Sequence, residues 1–329
     1  MGEAVSEVLN GEKEKLDLSI IIPVYNEQDN ILPLAEEINN VLASRRFTFE
    51  ILFVDDGSTD DTFEEIVKIR ERIPQVKALR FRRNFGQTSA LNAGFKHVLG
   101  EIVVVLDGDL QNDPSDIPRL LEKLKEGNFD VVSGWRHPRK DPFFSKRLPS
   151  EFANWLARML TGVKLHDFGC SLKAYRGECL ANLELYGEMH RYIPAIIAVD
   201  GYKIGELVVN HRPRKFGKTK YGVTRMIRGL LDLMYVKFWQ DYSTQPLHFF
   251  GILGFIQIFA AFIIGLYKVV WQRIILLESL NLGPLLLLFI LLTMNGALFI
   301  VLGFLGEIMV RNYYAESGRK NYSIKEVLE

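Results

Sequence analysis

The apolar residues of this chain follow two different patterns. Up to about residue 210 they come in short runs that alternate with stretches of helical spacing. Leu18–Val24 (LSIIIPV) reads as a buried strand, and Ile31, Leu34, Ala35, Ile38 and Leu42 mark one face of a helix over 28–43. Glu50–Val54 predicts a second strand. It runs into the turn Asp55-Asp56-Gly57-Ser58, and Thr59 or Asp60 can cap a helix carrying Phe63, Ile66, Val67 and Ile69. Val76–Phe81, Ile102–Leu106 and Asp130–Gly134 continue the strands, with helices over Gln87–His97 and Pro118–Lys125. Alternating strands and helices imply an α/β domain, a mostly parallel sheet covered on both faces, with ligands held at the carboxyl ends of its strands.

The second pattern begins near residue 246. Phe249–Tyr267 and Pro284–Gly306 contain no charged residue, and each is long enough to cross a bilayer as a helix. Arg225, Arg228 and Lys237 precede the first stretch, and Arg311, Arg319 and Lys320 follow the second. That bias predicts a multi-pass membrane protein with the N-terminal region and the tail both cytoplasmic. Met1–Leu18 is polar and mostly acidic, so no secretory signal is expected there. The expected organisation is a tail over 1–16, the α/β domain over 17–221, a juxtamembrane amphipathic helix over 222–245, spans over 246–270 and 282–310, and a tail over 311–329.

Charge refines this picture. The 329 residues carry 40 Lys and Arg against 40 Asp and Glu, which argues against a nucleic-acid partner. The balance is uneven, however: residues 1–129 hold 15 basic and 24 acidic side chains, and residues 130–240 hold 19 and 10. Two cysteines exclude a disulfide-rich scaffold and an all-cysteine zinc site. Neither a G-x-x-x-x-G-K-[ST] loop nor a G-x-G-x-x-G turn after the first strand is present, which disfavours P-loop and dinucleotide-dependent chemistry. In their place stand Asp55-Asp56 after one strand and Asp107-Gly108-Asp109 after another. Carboxylates repel diphosphates, so a phosphate ligand there needs a cation between them. Oxygen ligands suit Mg²⁺ or Mn²⁺, completed by substrate phosphates. Turn formation alone is the plainer reading of Asp55 and Asp56.

Five segments in order carry a resemblance: Pro23-Val24-Tyr25-Asn26-Glu27, Asp55-Asp56-Gly57-Ser58, Arg83-Asn84-Phe85-Gly86-Gln87, Asp107-Gly108-Asp109-Leu110-Gln111 and Gly169-Cys170-Ser171-Leu172-Lys173-Ala174-Tyr175-Arg176. Together with the two apolar stretches, they resemble the family 2 glycosyltransferases of GT-A fold, over roughly residues 17–310. More narrowly, they resemble the membrane-anchored polyprenyl-phosphate glycosyltransferases of the dolichol-phosphate mannose synthase type. Within that type the motifs look closest to the undecaprenyl-phosphate 4-deoxy-4-formamido-L-arabinose transferases.

The resemblance implies a nucleotide-sugar donor, a polyprenyl-phosphate acceptor, Mg²⁺ or Mn²⁺, and inversion in one displacement, with a UDP-sugar favoured over GDP-mannose. It matches Pro23, Tyr25, Glu27, Asp56 and Arg83 to the donor side. It matches Asp109 and Asp107, with Gln111 beside them, to the metal and diphosphate. Arg136, Arg147 and Lys220 match the acceptor phosphate, and Arg212 and Lys218 come from a basic segment near the donor diphosphate. Many relatives carry an acidic residue where this chain has Cys170, so Asp167 becomes the candidate base. His190 and Arg191 fall where relatives place a polar face beside the donor, although a packed or surface histidine is the plainer reading. In a predicted interfacial helix over Ser150–Leu160, residues Phe152, Trp155, Leu156, Met159 and Leu160 are expected on one face, either toward lipid or in the core. Membrane lipids and a second copy of the chain are the remaining expected partners. Polysaccharide extension, another lipid acceptor and a non-catalytic scaffold are the alternative readings.

Overall fold

The computed structural model describes residues 16–45, 47–137, 148–181, 183–213, 223–242, 245–275 and 283–317. The chain forms two units, Met1–Lys237 and Phe238–Glu329.

The first unit is built on seven strands: β1 (Leu16–Val24), β2 (Phe49–Asp55), β3 (Val76–Arg80), β4 (Gly100–Val105), β5 (Val131–Arg136), β6 (Lys173–Arg176) and β7 (Ile204–Val209). They lie in the order β3-β2-β1-β4-β6-β5-β7. Every pairing is parallel except those of β6, which runs antiparallel to both β4 and β5. The expected mostly parallel sheet is present, with one reversed strand in it.

Both faces are covered, as the continuous apolar runs require. Ile20, Ile22, Ile51, Phe53, Ile102 and Val104 face one core, shared with α1 (Gln28–Ala43), α2 (Thr62–Arg72) and α4 (Ile117–Glu126). The alternate residues Ile21, Leu52, Val54, Val103 and Val105 face the other, against α3 (Gln87–His97) and the segment 179–197. That alternation is the two-residue period of a strand. The carboxyl ends of β1, β2, β4 and β5 therefore emerge along one edge.

α5 (Leu148–Thr161) forms where a helix is expected, but it divides its apolar residues. Phe152, Trp155 and Met159 are exposed, whereas Leu156 and Leu160 pack with Ala157 and Leu165. Positions 152, 155 and 159 share one helical face, and 156 and 160 lie about 100° further round. A short helix, α6 (Ile193–Val199), precedes β7. In α7 (Val223–Tyr242), Leu233 and Val236 join the same cluster as Tyr192 and Phe168, so the packed unit continues beyond residue 221.

The second unit is a helical hairpin. α8 (Pro246–Leu266) continues through wider π-helical turns over Tyr267–Ile275, and α9 runs from Pro284 to Ser317. Pro246–Trp271 and Pro284–Val310 are long and apolar enough to cross a membrane, and few of their residues are buried. A soluble core helix would be mostly covered, so this exposure supports a membrane-associated, multi-pass chain. The helices meet where Gly254 and Gly296 face each other. A Cβ on Gly296 would sit 2.7 Å from the Gly254 carbonyl oxygen, so only hydrogen fits there.

Candidate functional site

The strand ends bring the acidic motifs together. At the end of β1, Asn26 takes a left-handed φ of 56°, and its side chain accepts the Thr59 amide at 2.9 Å. Asparagine tolerates this conformation, and the turn presents Tyr25 and Glu27 at the sheet edge. Glu27 receives the Asn30 amide side chain at 2.6 Å, and its own N–H donates to Thr62 Oγ1. Pro23 lies in β1 beside Val54 of β2.

Asp56, at the end of β2, is buried. Its two carboxylate oxygens accept the Phe85 and Gly86 amides at 2.7 and 2.8 Å. Burial pushes its pKa up, against the lowering effect of those two bonds. Asp56 thus anchors the Arg83–Gln87 segment at the start of α3. Gly57, at φ 70°, passes so close to the Arg83 backbone that a Cβ would lie 2.4 Å from its carbonyl carbon. Arg83 stacks over the exposed Phe85 ring at 4.4 Å.

After β4 the chain turns sharply. Leu110 is buried at φ 60°, an unfavourable conformation for a branched residue held here by its surroundings. Asp107 and Asp109 lead into this turn. Gln87 donates to Asp107 Oδ1 at 2.7 Å, and the Gln111 amide to Asp109 Oδ1 at 3.2 Å. Burial and the Asp109 charge push the Asp107 pKa up, opposed by the Ser171 hydroxyl, Arg136 and Lys173. Lys173 is buried with its Nζ 3.2 Å from the Phe168 carbonyl, and burial lowers its pKa.

Beyond the acidic pair, residues 210–212 dock on residues 111–116. The Arg212 N–H donates to the Gln111 carbonyl at 2.9 Å, and Asn210 donates to Asp113 and Asp116. The Arg212 guanidinium lies 2.7 Å from both Glu37 and Asp113. It is held by two carboxylates, an arrangement its place in a basic segment does not suggest. The Gln111 side chain reaches His211 and the Arg212 carbonyl at 3.5 Å.

Arg136 ends β5 with its guanidinium largely covered. It forms a bidentate pair with the buried Asp167, at 2.7 and 3.0 Å. Asp167 therefore orients a guanidinium, and this pairing competes with any role as a base. Cys170 is fully buried, and burial raises its thiol pKa to about 11, so it is protonated near neutral pH. His190 Nδ1 pairs with Thr88 Oγ1 at 2.8 Å. Arg147, Lys218 and Lys220 lie outside the described residues.

Sequence reasoning did not single out Gln87, Ser171 or Lys173, although all three stand inside the quoted motifs. Gln87 follows the glycine that opens α3. Ser171 and Lys173 lie two residues apart at the start of the antiparallel β6. Their orientation toward Asp107 depends on that reversed strand.

The acidic pair fits a divalent cation. Burial and the neighbouring Asp109 charge disfavour the ionised form of Asp107, and a cation between the two carboxylates would offset both effects. Among the described residues no three His, Cys, Asp or Glu side chains converge. Asp107 and Asp109 would thus supply two ligands and leave the others to phosphate and water, the pattern for Mg²⁺ and similar ions.

Residues 19–182 match the family signature Glycosyl transferase family 2. The chain is 39 % identical over 324 residues to a dodecaprenyl-phosphate galacturonate synthase of Rhizobium johnstonii, covering 97 % of this chain and 95 % of that protein. The chain belongs to glycosyl transferase family 2. It is also 34 % identical over 312 residues to an undecaprenyl-phosphate 4-deoxy-4-formamido-L-arabinose transferase of Salmonella choleraesuis, covering 94 % of this chain and 93 % of that one. This family 2 chain is thus related to galacturonate and formamido-arabinose transferases alike, and the expected special likeness to the second group is not singled out. A structure of glucosyl-3-phosphoglycerate synthase from Mycobacterium tuberculosis, in complex with Mn²⁺, UDP and glucosyl-3-phosphoglycerate, shares the fold. Its TM-score is 0.51 at 17 % identity, over 68 % of this chain and 80 % of that one.

Proposed function

We propose that this family 2 protein transfers a sugar from a nucleotide-sugar donor to a polyprenyl phosphate, inverting the anomeric carbon in one displacement. The observation that carries the reading is likeness over nearly the whole chain, both apolar helices included, to two proteins named for polyprenyl-phosphate sugar synthesis. A UDP-linked sugar is the favoured donor, and galacturonate and 4-deoxy-4-formamido-L-arabinose are the first sugars to test.

The donor lies along the strand ends, with Pro23, Tyr25, Glu27, Asp56 and Arg83 on the nucleoside side. The Asp56 carboxylate acts there by holding the Phe85–Gly86 backbone in place. Asp109 and Asp107, with Gln111 beside them, hold Mg²⁺ or Mn²⁺. Such an ion, when bound, neutralises the charge that grows on the leaving diphosphate. Gln87 fixes the Asp107 carboxylate, and the Lys173 charge favours its ionised form.

The Arg136 guanidinium, oriented by Asp167, receives the lipid phosphate together with Arg147 and Lys220. Arg212 is fixed beside Gln111 by Glu37 and Asp113, and Lys218, from the same basic stretch of sequence, is assigned to the diphosphate. A phosphate acceptor is already anionic near neutral pH, so no general base is required, and aligning two anions is the main task. Facing lipid phosphate from the cytoplasmic side agrees with the basic flanks of the two helices.

The test is transfer by the purified full chain in detergent, with Mg²⁺ or Mn²⁺, undecaprenyl phosphate and a panel of UDP- and GDP-sugars, products being read by mass. Asp109→Ala should lower lipid-sugar formation at least about a hundredfold while the circular dichroism spectrum is kept. An unchanged rate would remove Asp109 from the site, and no lipid product from any donor would refute the acceptor class.

A further inference from the structure

α9 packs on α8 through Gly296 and Gly303. Much of the rest of its circumference is exposed, including a row whose spacing alternates three and four residues: Leu288, Leu291, Asn295, Leu298, Leu302 and Leu305. This is the heptad seam of two parallel helices, with leucine at every d position (Leu291, Leu298, Leu305) and one asparagine at an a position.

A leucine-rich face alone suits lipid equally well. Asn295 does not. It lies within about one helical turn of the middle of the span Pro284–Val310 and is exposed there. The nearby Thr293 satisfies its hydroxyl on the Phe289 carbonyl at 2.8 Å. Among the described residues nothing offers the Asn295 carboxamide a hydrogen bond. Hydrocarbon cannot supply one, and no water is present at that depth.

A carboxamide carries both donor and acceptor, so two identical ones facing each other at equal depth satisfy one another. Copies of one chain inserted the same way present α9 in parallel at equal depth, as that pairing and the leucine seam both require. We propose that a second copy of this chain docks along this face of α9, with the two Asn295 side chains hydrogen-bonded across a two-fold axis.

The test uses the full chain in phospholipid vesicles, with Cys170 and Cys179 replaced by alanine and one cysteine introduced at a time. Oxidation should cross-link Leu298→Cys and Leu291→Cys into dimers and leave Phe304→Cys, exposed on another face, monomeric. Asn295→Leu should weaken association about three- to tenfold, measured by energy transfer between labelled copies as the protein is diluted in lipid, and Asn295→Gln should restore part of it. Equal cross-linking at Leu298 and Phe304, cross-linking to another protein only, or no effect of Asn295→Leu would each overturn the proposal. The cross-linking pattern stands even if the Asn295 variants fail to fold.

Discussion

Asp113 offers a stability test that can be worked through in numbers. Its carboxylate accepts the Ser115 amide at 3.0 Å, the Ser115 hydroxyl at 2.6 Å and the Asn210 side chain at 2.9 Å, and it pairs with Arg212 at 2.7 Å. Burial by itself would raise its pKa, but these partners outweigh it and hold the group at about 2, against an ordinary 3.8. A folded-state pKa below the unfolded one means that the unfolded chain takes up the proton first as pH falls. The stabilisation is therefore complete above about pH 5 and is lost as pH falls toward 2. It amounts to about 2 kcal/mol at neutral pH; about 0.6 kcal/mol of it is gone by pH 3.5, and roughly half by pH 3.

Asp113→Asn removes the charge and keeps the shape. It should destabilise the first unit by about 2 kcal/mol at pH 7. Urea unfolding of the full chain in detergent reads this through Trp135 and Trp155, both in that unit. The gap between variant and parent should narrow between pH 4 and 3. A variant as stable as the parent at pH 7, or a gap of the same size at pH 3, would refute the argument.

Three further outcomes are expected. Asp56→Ala leaves the Phe85 and Gly86 amides without their acceptor and should cost about 2–4 kcal/mol, with a raised KM for donor; asparagine, which keeps one acceptor oxygen, should lose less. Gly296→Val drives a Cβ into the Gly254 carbonyl and should cost about 1–3 kcal/mol of hairpin stability, seen as lower folded yield in detergent; wild-type yield would mean that the helices do not cross there. Cys170→Ala should keep transfer activity at an otherwise small stability cost, and thiol alkylation at pH 7.5 should leave the parent active, because its buried thiol titrates at about 11; loss of transfer with intact folding would assign Cys170 a chemical role.

Local pattern was enough to read five strands of the sheet, the helices between them and two membrane-length helices. Parallel strands buried on both faces leave unbroken apolar runs, and spans leave longer ones, so both survive in a single sequence. The acidic motifs were legible for the same reason: each follows directly on a strand, and parallel strands deliver their ends to one edge.

What tertiary structure alone decided is the set of partners of each charged group. Asp56 holds two backbone amides about 30 residues away, Arg136 is closed by Asp167, and Arg212 is shared between Glu37 and Asp113. Each of these pairs depends on a crossover, on the reversed β6 or on the docking of residues 210–212, and none has a spacing that recurs along the chain. The split of the α5 face between core and solvent has a similar origin. A helical wheel shows which residues share a side, but only the packed neighbours show where that side ends. Hydrophobic period is a property of neighbours in sequence and can be read there. Charge pairing and desolvation are properties of neighbours in space, and for Asp56, Arg136 and Arg212 those neighbours lie from about 30 to 175 residues apart.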